Sequence, residues 1–129
     1  MDWNKLVESA KKVREKAYAP YSKFRVGAAV VGGSGKIYIG TNVENASFGL
    51  TICAERNAVA NAIAQGEKKI KAVAIVADTA ELTPPCGACR QVIYEFGEEA
   101  EILLANLKGK RKIFKITELL REPFSFKTK

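Results

Sequence analysis

The chain has 129 residues, enough for one domain with a core of its own, and 47% of them are hydrophobic against 27% charged. That balance excludes a disordered segment, and no run of about 18 apolar residues is present to predict a membrane span. The formal net charge of +7 admits a nucleic-acid partner, but the basic residues are spread along the chain and interleaved with Glu, as in "ESAKKVREK".

From the N-terminus, Asp2 can cap a helix whose apolar stripe is Trp3, Leu6, Val7, Ala10, Val13 and Ala17. The start is charged throughout and lacks the apolar centre of a secretory signal, so a cytoplasmic setting is expected. "YAPYSKF" interrupts the helix with Pro20 and turn formers. "FRVGAAVVGGSGKIYIGTNVE" then reads as two strands joined at Gly32 to Gly35. A phosphate loop is the other reading of "GGSGK", but its first glycine would have to stand where Val30 is.

"TICAERNAVANAIAQG" predicts a helix capped by Thr51 and ending at Gly66. "IKAVAIVA" is apolar almost without alternation, as a strand covered on both faces would be. "CGACRQVIYEFG" is a second helix in this half, stopped by Gly97. "EILLAN" is another buried strand, "KIFKI" a short one, and "TELL" a last helical turn. The basic cluster from Lys108 to Lys115 reads as a solvated turn running into an edge strand. Helices alternating with apolar strands, and no linker or repeat, predict one domain over residues 1–129: an α/β fold, a three-layer α/β/α sandwich on a mixed five-stranded sheet.

The three cysteines carry the chemistry. Cys86 and Cys89 alone could form a redox couple, half of a structural zinc site or part of a catalytic one. Cys53 opens one helix while Cys86 and Cys89 open another, three residues apart on one face. Both helix starts favour thiolate over thiol, which metal binding needs. A closed structural site takes four Cys or His ligands, and the chain has three cysteines and no histidine. Three ligands with an open position describe a catalytic zinc, one Zn²⁺ per chain. A redox couple would leave Cys53 unexplained. Glu55, two residues after Cys53, is an ordinary acid near a helix start, or the carboxylate that moves protons beside the open position. A Cys or His ligand followed by x-E and then P-C-x-x-C is the signature of zinc deaminases; here it stands as "CAE" and "PCGAC".

"YAPYSKFRVGAA", "NVENASFGLTICAERNA" and "PPCGACRQV" together resemble the small homotetrameric cytidine deaminases that act on free nucleosides. The resemblance implies zinc-dependent hydrolytic deamination of cytidine and 2′-deoxycytidine to uridine and 2′-deoxyuridine plus ammonia, in pyrimidine salvage. It implies that hydroxide on a zinc held by Cys53, Cys86 and Cys89 attacks C4, with Glu55 passing protons to N3 and to the departing amine. Arg56 would hydrogen-bond the cysteine sulfurs and draw off part of their charge. Asn42, Val43 and Glu44 would form the nucleoside-binding stretch, with Asn42 and Glu44 on the ribose 3′-hydroxyl. Phe24 would pack on the base and the Ala54 N–H would bond the pyrimidine carbonyl. Phe48 stands where the family has Tyr, and Phe124 is placed like its C-terminal aromatic; both would reach a neighbouring subunit's site in a homotetramer. After "TELL" the family's Pro is replaced by Arg121.

Rival readings are a deaminase of a modified cytosine nucleoside, of the blasticidin type, a deaminase of cytosine in nucleic acid, and a non-catalytic zinc-containing RNA-binding protein. A ribose-reading Glu44 argues against the first, the compact chain against the second and the open coordination position against the third. A free nucleoside, with neither nucleic acid nor membrane as partner, is the expectation.

Overall fold

A computed structural model describes residues 1–126. Helix α1 (Trp3–Arg14) starts as expected, with the Asp2 side chain accepting from the Lys5 N–H at 3.1 Å. Its buried stripe is Leu6, Val7, Ala10 and Val13. Ala17 falls beyond the helix, because the chain turns away at Glu15 toward Pro20.

Strands β1 (Val26–Gly32) and β2 (Ile37–Thr41) form the expected antiparallel hairpin, and Gly35 takes φ +92° in its turn. The "GGSGK" segment is therefore the tip of a hairpin. The Glu67 carboxylate staples it, accepting from the Ser34 N–H, the Ser34 hydroxyl and the Tyr38 hydroxyl.

A short 3₁₀ turn, Phe48–Leu50, precedes helix α2 (Ala54–Ala64). This turn displaces the expected cap: Cys53 is the N-cap of α2, while Thr51 closes the 3₁₀ turn and its hydroxyl accepts from the Asn45 N–H. Gly66 ends the helix at φ +104°. Strand β3 (Ile70–Ala77) leads to α3 (Gly87–Phe96), which Gly97 closes, and then to β4 (Glu101–Ala105). Strand β5 runs from Arg111 to Lys115, one residue earlier than "KIFKI" suggests, and α4 is the final turn Ile116–Leu119.

The sheet order is β2-β1-β3-β4-β5, antiparallel except for the parallel β3/β4 pair that α3 connects. It is the mixed five-stranded sheet expected. Every residue of β1 is buried, because helices cover both faces. On one face α1 sets Leu6, Val7 and Ala10 against Ala29, Val31, Ala72, Ala74 and Val76. On the other, α2 and α3 bring Ala58, Val59, Ala62 and Ile93 onto Ala28, Val30, Val73 and Ile75. These layers make the α/β/α sandwich.

Small residues decide how closely the α2 layer sits. Ala54, Ala58 and Ala62 recur every four residues and face β2, where Gly40 lets the helix backbone come into contact. A methyl at Gly40 would land 2.8 Å from the Ala54 carbonyl and closer still to Ala58 N. Asn57 and Asn61 of the same helix donate to the Thr41 and Ile39 carbonyls, tying α2 to the edge strand. The opposite edge, β5, carries the basic cluster as exposed edge-strand and turn residues. Among the described residues no helix is long and apolar enough to cross a membrane.

Candidate active site

Both helices on the α2/α3 face begin at one place. Cys53 is the N-cap of α2 and Cys86 that of α3, and neither side chain caps its own helix. Cys89, in the first turn of α3, is fully buried. The Sγ atoms of Cys53 and Cys86 lie 3.9 Å apart, those of Cys86 and Cys89 3.4 Å, and all three fall within 4.8 Å of one another. All three thiols are free.

The donor set fits zinc. Zn–S bonds of about 2.3 Å arranged tetrahedrally put sulfurs about 3.8 Å apart, which these spacings bracket. The charges also call for a cation. Cys53 is lowered to about 5 by the hydrogen bond from Cys89 and then by Arg56, against the cost of burial. Cys89 is pushed up, first by its hydrogen bond to Cys53 and then by burial. One thiolate therefore obliges its neighbour to keep a proton, and a divalent cation would relieve both. Arg56 supplies partial relief, its Nη2 donating to Cys53 Sγ at 3.6 Å. Its pKa is raised by that bond, and its buried Nε has no hydrogen-bond partner among the described residues.

Beside the sulfurs lies a cavity of about 350 Å³ whose walls include Phe24, Asn42, Glu44, Cys53, Ala54, Glu55 and Cys86. Glu55 is 5% exposed and makes no ion pair among the described residues. Burial pushes its carboxyl up to about 7, and the Cys53 charge pushes the same way. A carboxyl that exchanges its proton near neutrality, next to a cluster of metal donors, suits acid–base work. Helix α2 starts without a side-chain cap, and Ala54, its first residue, lines the same cavity.

At the far wall, Asn42 is buried just past β2. Its Oδ1 accepts from the Val26 N–H at 2.9 Å, and its Nδ2 donates to the Phe24 carbonyl at 2.7 Å. The Glu44 carboxylate accepts from the backbone N–H groups of Tyr21 and Ser22 and from the Ser22 hydroxyl. Those bonds, led by the hydroxyl, hold its pKa down. The Phe24 ring is 38% exposed and borders the cavity.

Five of the residues singled out in the sequence do not line this cavity: Cys89 and Arg56 belong to the sulfur cluster beside it, and Val43, Phe48 and Phe124 stand elsewhere. Val43 is bridged to Tyr18 and Ile52, and 44% of it is exposed. The Phe48 ring stacks edge-on with Tyr21 at 5.9 Å and is 74% exposed. Phe124 pairs with Phe126 at 5.0 Å, and its backbone is gripped by both ends of the Gln91 amide. The cavity also gathers Ser22, Val26, Thr51, Ile75, Thr83 and Pro84, to which the sequence assigned no part in the site. Ser22, Val26, Thr51 and Pro84 fall inside the stretches "YAPYSKFRVGAA", "NVENASFGLTICAERNA" and "PPCGACRQV", but nothing local ties them to the cavity.

Residues 1–105 match the family model described as the cytidine and deoxycytidylate deaminase zinc-binding region. A cytidine deaminase of Sporosarcina psychrophila is 48% identical over 97% of this chain and 93% of its own length. One from Halalkalibacterium halodurans is 45% identical over 97% and 96%. The crystal structure of cytidine deaminase from Burkholderia pseudomallei superposes with a TM-score of 0.92 at 47% identity, covering 96% of this chain and all of that one. That of the Mycobacterium tuberculosis enzyme gives 0.85 at 36% identity, covering 98% and 99%.

Proposed function

The chain belongs to the cytidine and deoxycytidylate deaminase family, and from that premise we propose that it hydrolyses cytidine and 2′-deoxycytidine to the corresponding uridines and ammonia. The observation that carries the reading is the cluster of three cysteine sulfurs, of which Cys53 and Cys86 line the same cavity as the buried Glu55. Cys53, Cys86 and Cys89 would hold one zinc ion, which when bound supplies the Lewis acidity that makes water a nucleophile near neutral pH. Arg56 offsets the negative charge of the thiolates through its bond to Cys53.

Glu55 moves the protons. Its carboxylate takes one from the attacking water and delivers it to N3 of the ring, which makes C4 more electrophilic. A later transfer goes to the amine as the C4–N bond breaks, so that cytidine and water become uridine and ammonia. The low exposure of Glu55 keeps bulk water from competing for the carboxyl. The Ala54 N–H is assigned to the pyrimidine carbonyl, Phe24 to the face of the base, and Asn42 and Glu44 to the ribose 3′-hydroxyl. Val43 contributes to this stretch through backbone pairing, which holds Asn42 and Glu44 either side of it.

Phe48 and Phe124, exposed and outside their own chain's cavity, suit contacts with a second subunit's site in a homotetramer. A cytoplasmic setting, where thiols stay reduced, and a role in pyrimidine salvage belong to the same proposal. The test is Glu55→Gln in purified protein. Zinc content should stay at the wild-type level while cytidine turnover falls by about 10²–10⁴-fold or more. Turnover within a few-fold of wild type would sink the proton-transfer role.

A further inference from the structure

We propose that Ser22 is a positioning residue for the nucleoside, its hydroxyl fixing the plane of the Glu44 carboxylate; this rests on the reading of Glu44 as the residue that accepts from the ribose 3′-hydroxyl. Ser22 and Phe24 both border the cavity, on either side of Lys23. Lys23 is the one described non-glycine residue with positive φ, at 61°, and its N–H donates to the Ala19 carbonyl at 3.0 Å. That left-handed residue closes a tight turn and brings its two neighbours to the same wall.

A serine hydroxyl has one proton to give. Ser22 donates it to Glu44 Oε2, while its oxygen accepts from the Phe24 N–H at 3.0 Å. The other carboxylate oxygen, Oε1, accepts from the N–H groups of Tyr21 at 3.0 Å and Ser22 at 3.1 Å. A carboxylate offers about four acceptor positions, and three are taken, which leaves one on Oε2 for a donor in the cavity. Without Ser22, Oε1 alone is anchored and the carboxylate can pivot about it.

The same stretch of chain also holds Asn42, through the Phe24 carbonyl and the Val26 N–H. One amide hydrogen of Asn42 remains for a ligand. Ser22 is thus the side-chain link that makes the turn, Asn42 and Glu44 one preformed sugar site, and preformed sites save ordering cost on binding.

The test compares wild type, Ser22→Ala and Ser22→Thr on cytidine and 3′-deoxycytidine. Ser22→Ala should raise the KM for cytidine about tenfold, the size expected of a lost hydrogen bond to a charged group, with kcat within about twofold. Ser22→Thr keeps the hydroxyl and should stay within about threefold of wild type. On 3′-deoxycytidine, which lacks the hydroxyl to be read, wild type and Ser22→Ala should agree within about twofold. An unchanged cytidine KM in Ser22→Ala, or an equal rise on both substrates, overturns the proposal. So does a Ser22→Thr variant as impaired as Ser22→Ala, which also decides the matter if the alanine variant folds poorly. Wild type that turns over 3′-deoxycytidine as readily as cytidine refutes the Glu44 reading itself, and the proposal with it. No turnover of cytidine by wild type refutes the deaminase reading instead.

Discussion

Adding one methyl group at three glycines should separate the seating of the site from the stability of the fold. At Gly40 the new Cβ would stand 2.8 Å from the Ala54 carbonyl oxygen and 2.9 Å from Ala58 Cα, both backbone atoms of α2. The Ala58 N is nearer still, and ordinary contact is at about 3.5–4.0 Å, so the helix must back away from β2 by about 1 Å or more. Its first turn carries Cys53 and Glu55, whereas Cys86 and Cys89 ride on α3 and do not follow. Zinc ligands tolerate errors of only about 0.2 Å, and a misplacement of about 1 Å can cost about 10²-fold in rate. Gly40→Ala should therefore bind zinc weakly, lose about 10²-fold in turnover, and melt lower by about 1–3 kcal/mol of overpacking. Gly27→Ala meets the backbone of α1 on the opposite face, with Arg14 Cβ at 2.9 Å, so it should cost similar stability while keeping zinc. Gly87→Ala, between two zinc ligands, meets nothing within 4 Å and should be neutral or stabilising by up to about 1 kcal/mol. The assays are thermal melts, zinc per chain after dialysis, and cytidine turnover on the same samples. Full zinc and activity in Gly40→Ala, or equal zinc loss in Gly27→Ala, would refute the reasoning that the α2–β2 contact seats the site.

Three further outcomes are expected. Gln91→Leu removes both amide bonds to the Phe124 backbone, so proteolysis between Leu120 and Phe126 should speed up while zinc content holds. The Glu67 carboxyl is held below its ordinary value, first by the Ser34 hydroxyl and then by that of Tyr38. A depressed carboxyl stabilises the fold above its unfolded pKa of about 4.3 and loses that contribution as pH falls through the folded value, so urea midpoints should drop below about pH 4 and Glu67→Gln should flatten that slope. Tyr38, raised chiefly by its bond to Glu67, should lose its contribution at the other end, as pH climbs through its folded value above 10.0.

Much of the molecule was legible from the chain. The apolar spacing of α1 and the nearly continuous apolar run of β3 follow from burial on one face or two, and the cysteine count directed attention to one metal site. The start of α2 was not legible, since Thr51 caps well in isolation but the 3₁₀ turn at Phe48–Leu50 uses it up. Strand order escaped too, because β1 and β3 are separated by β2 and α2 in sequence yet pair in space. Ser22 was hidden for a similar reason. Its partner Glu44 is 22 residues away, and no local pattern encodes a hydrogen bond of that span. The edge-on ring pairs at Phe48 and Phe124 likewise depend on which surfaces the folded chain leaves exposed.

If Cys53, Cys86 and Cys89 hold a zinc ion at a site that deaminates cytidine, metal and activity must travel together. Zinc content and the loss of cytidine absorbance, measured on one purified sample before and after chelation and zinc restoration, test it most directly. One zinc per chain is expected, with uridine and ammonia formed in equal amounts and activity lost with the metal and regained with it. Cytidine left unchanged by the zinc-loaded protein, or turned over at full rate after the zinc is gone, would contradict it.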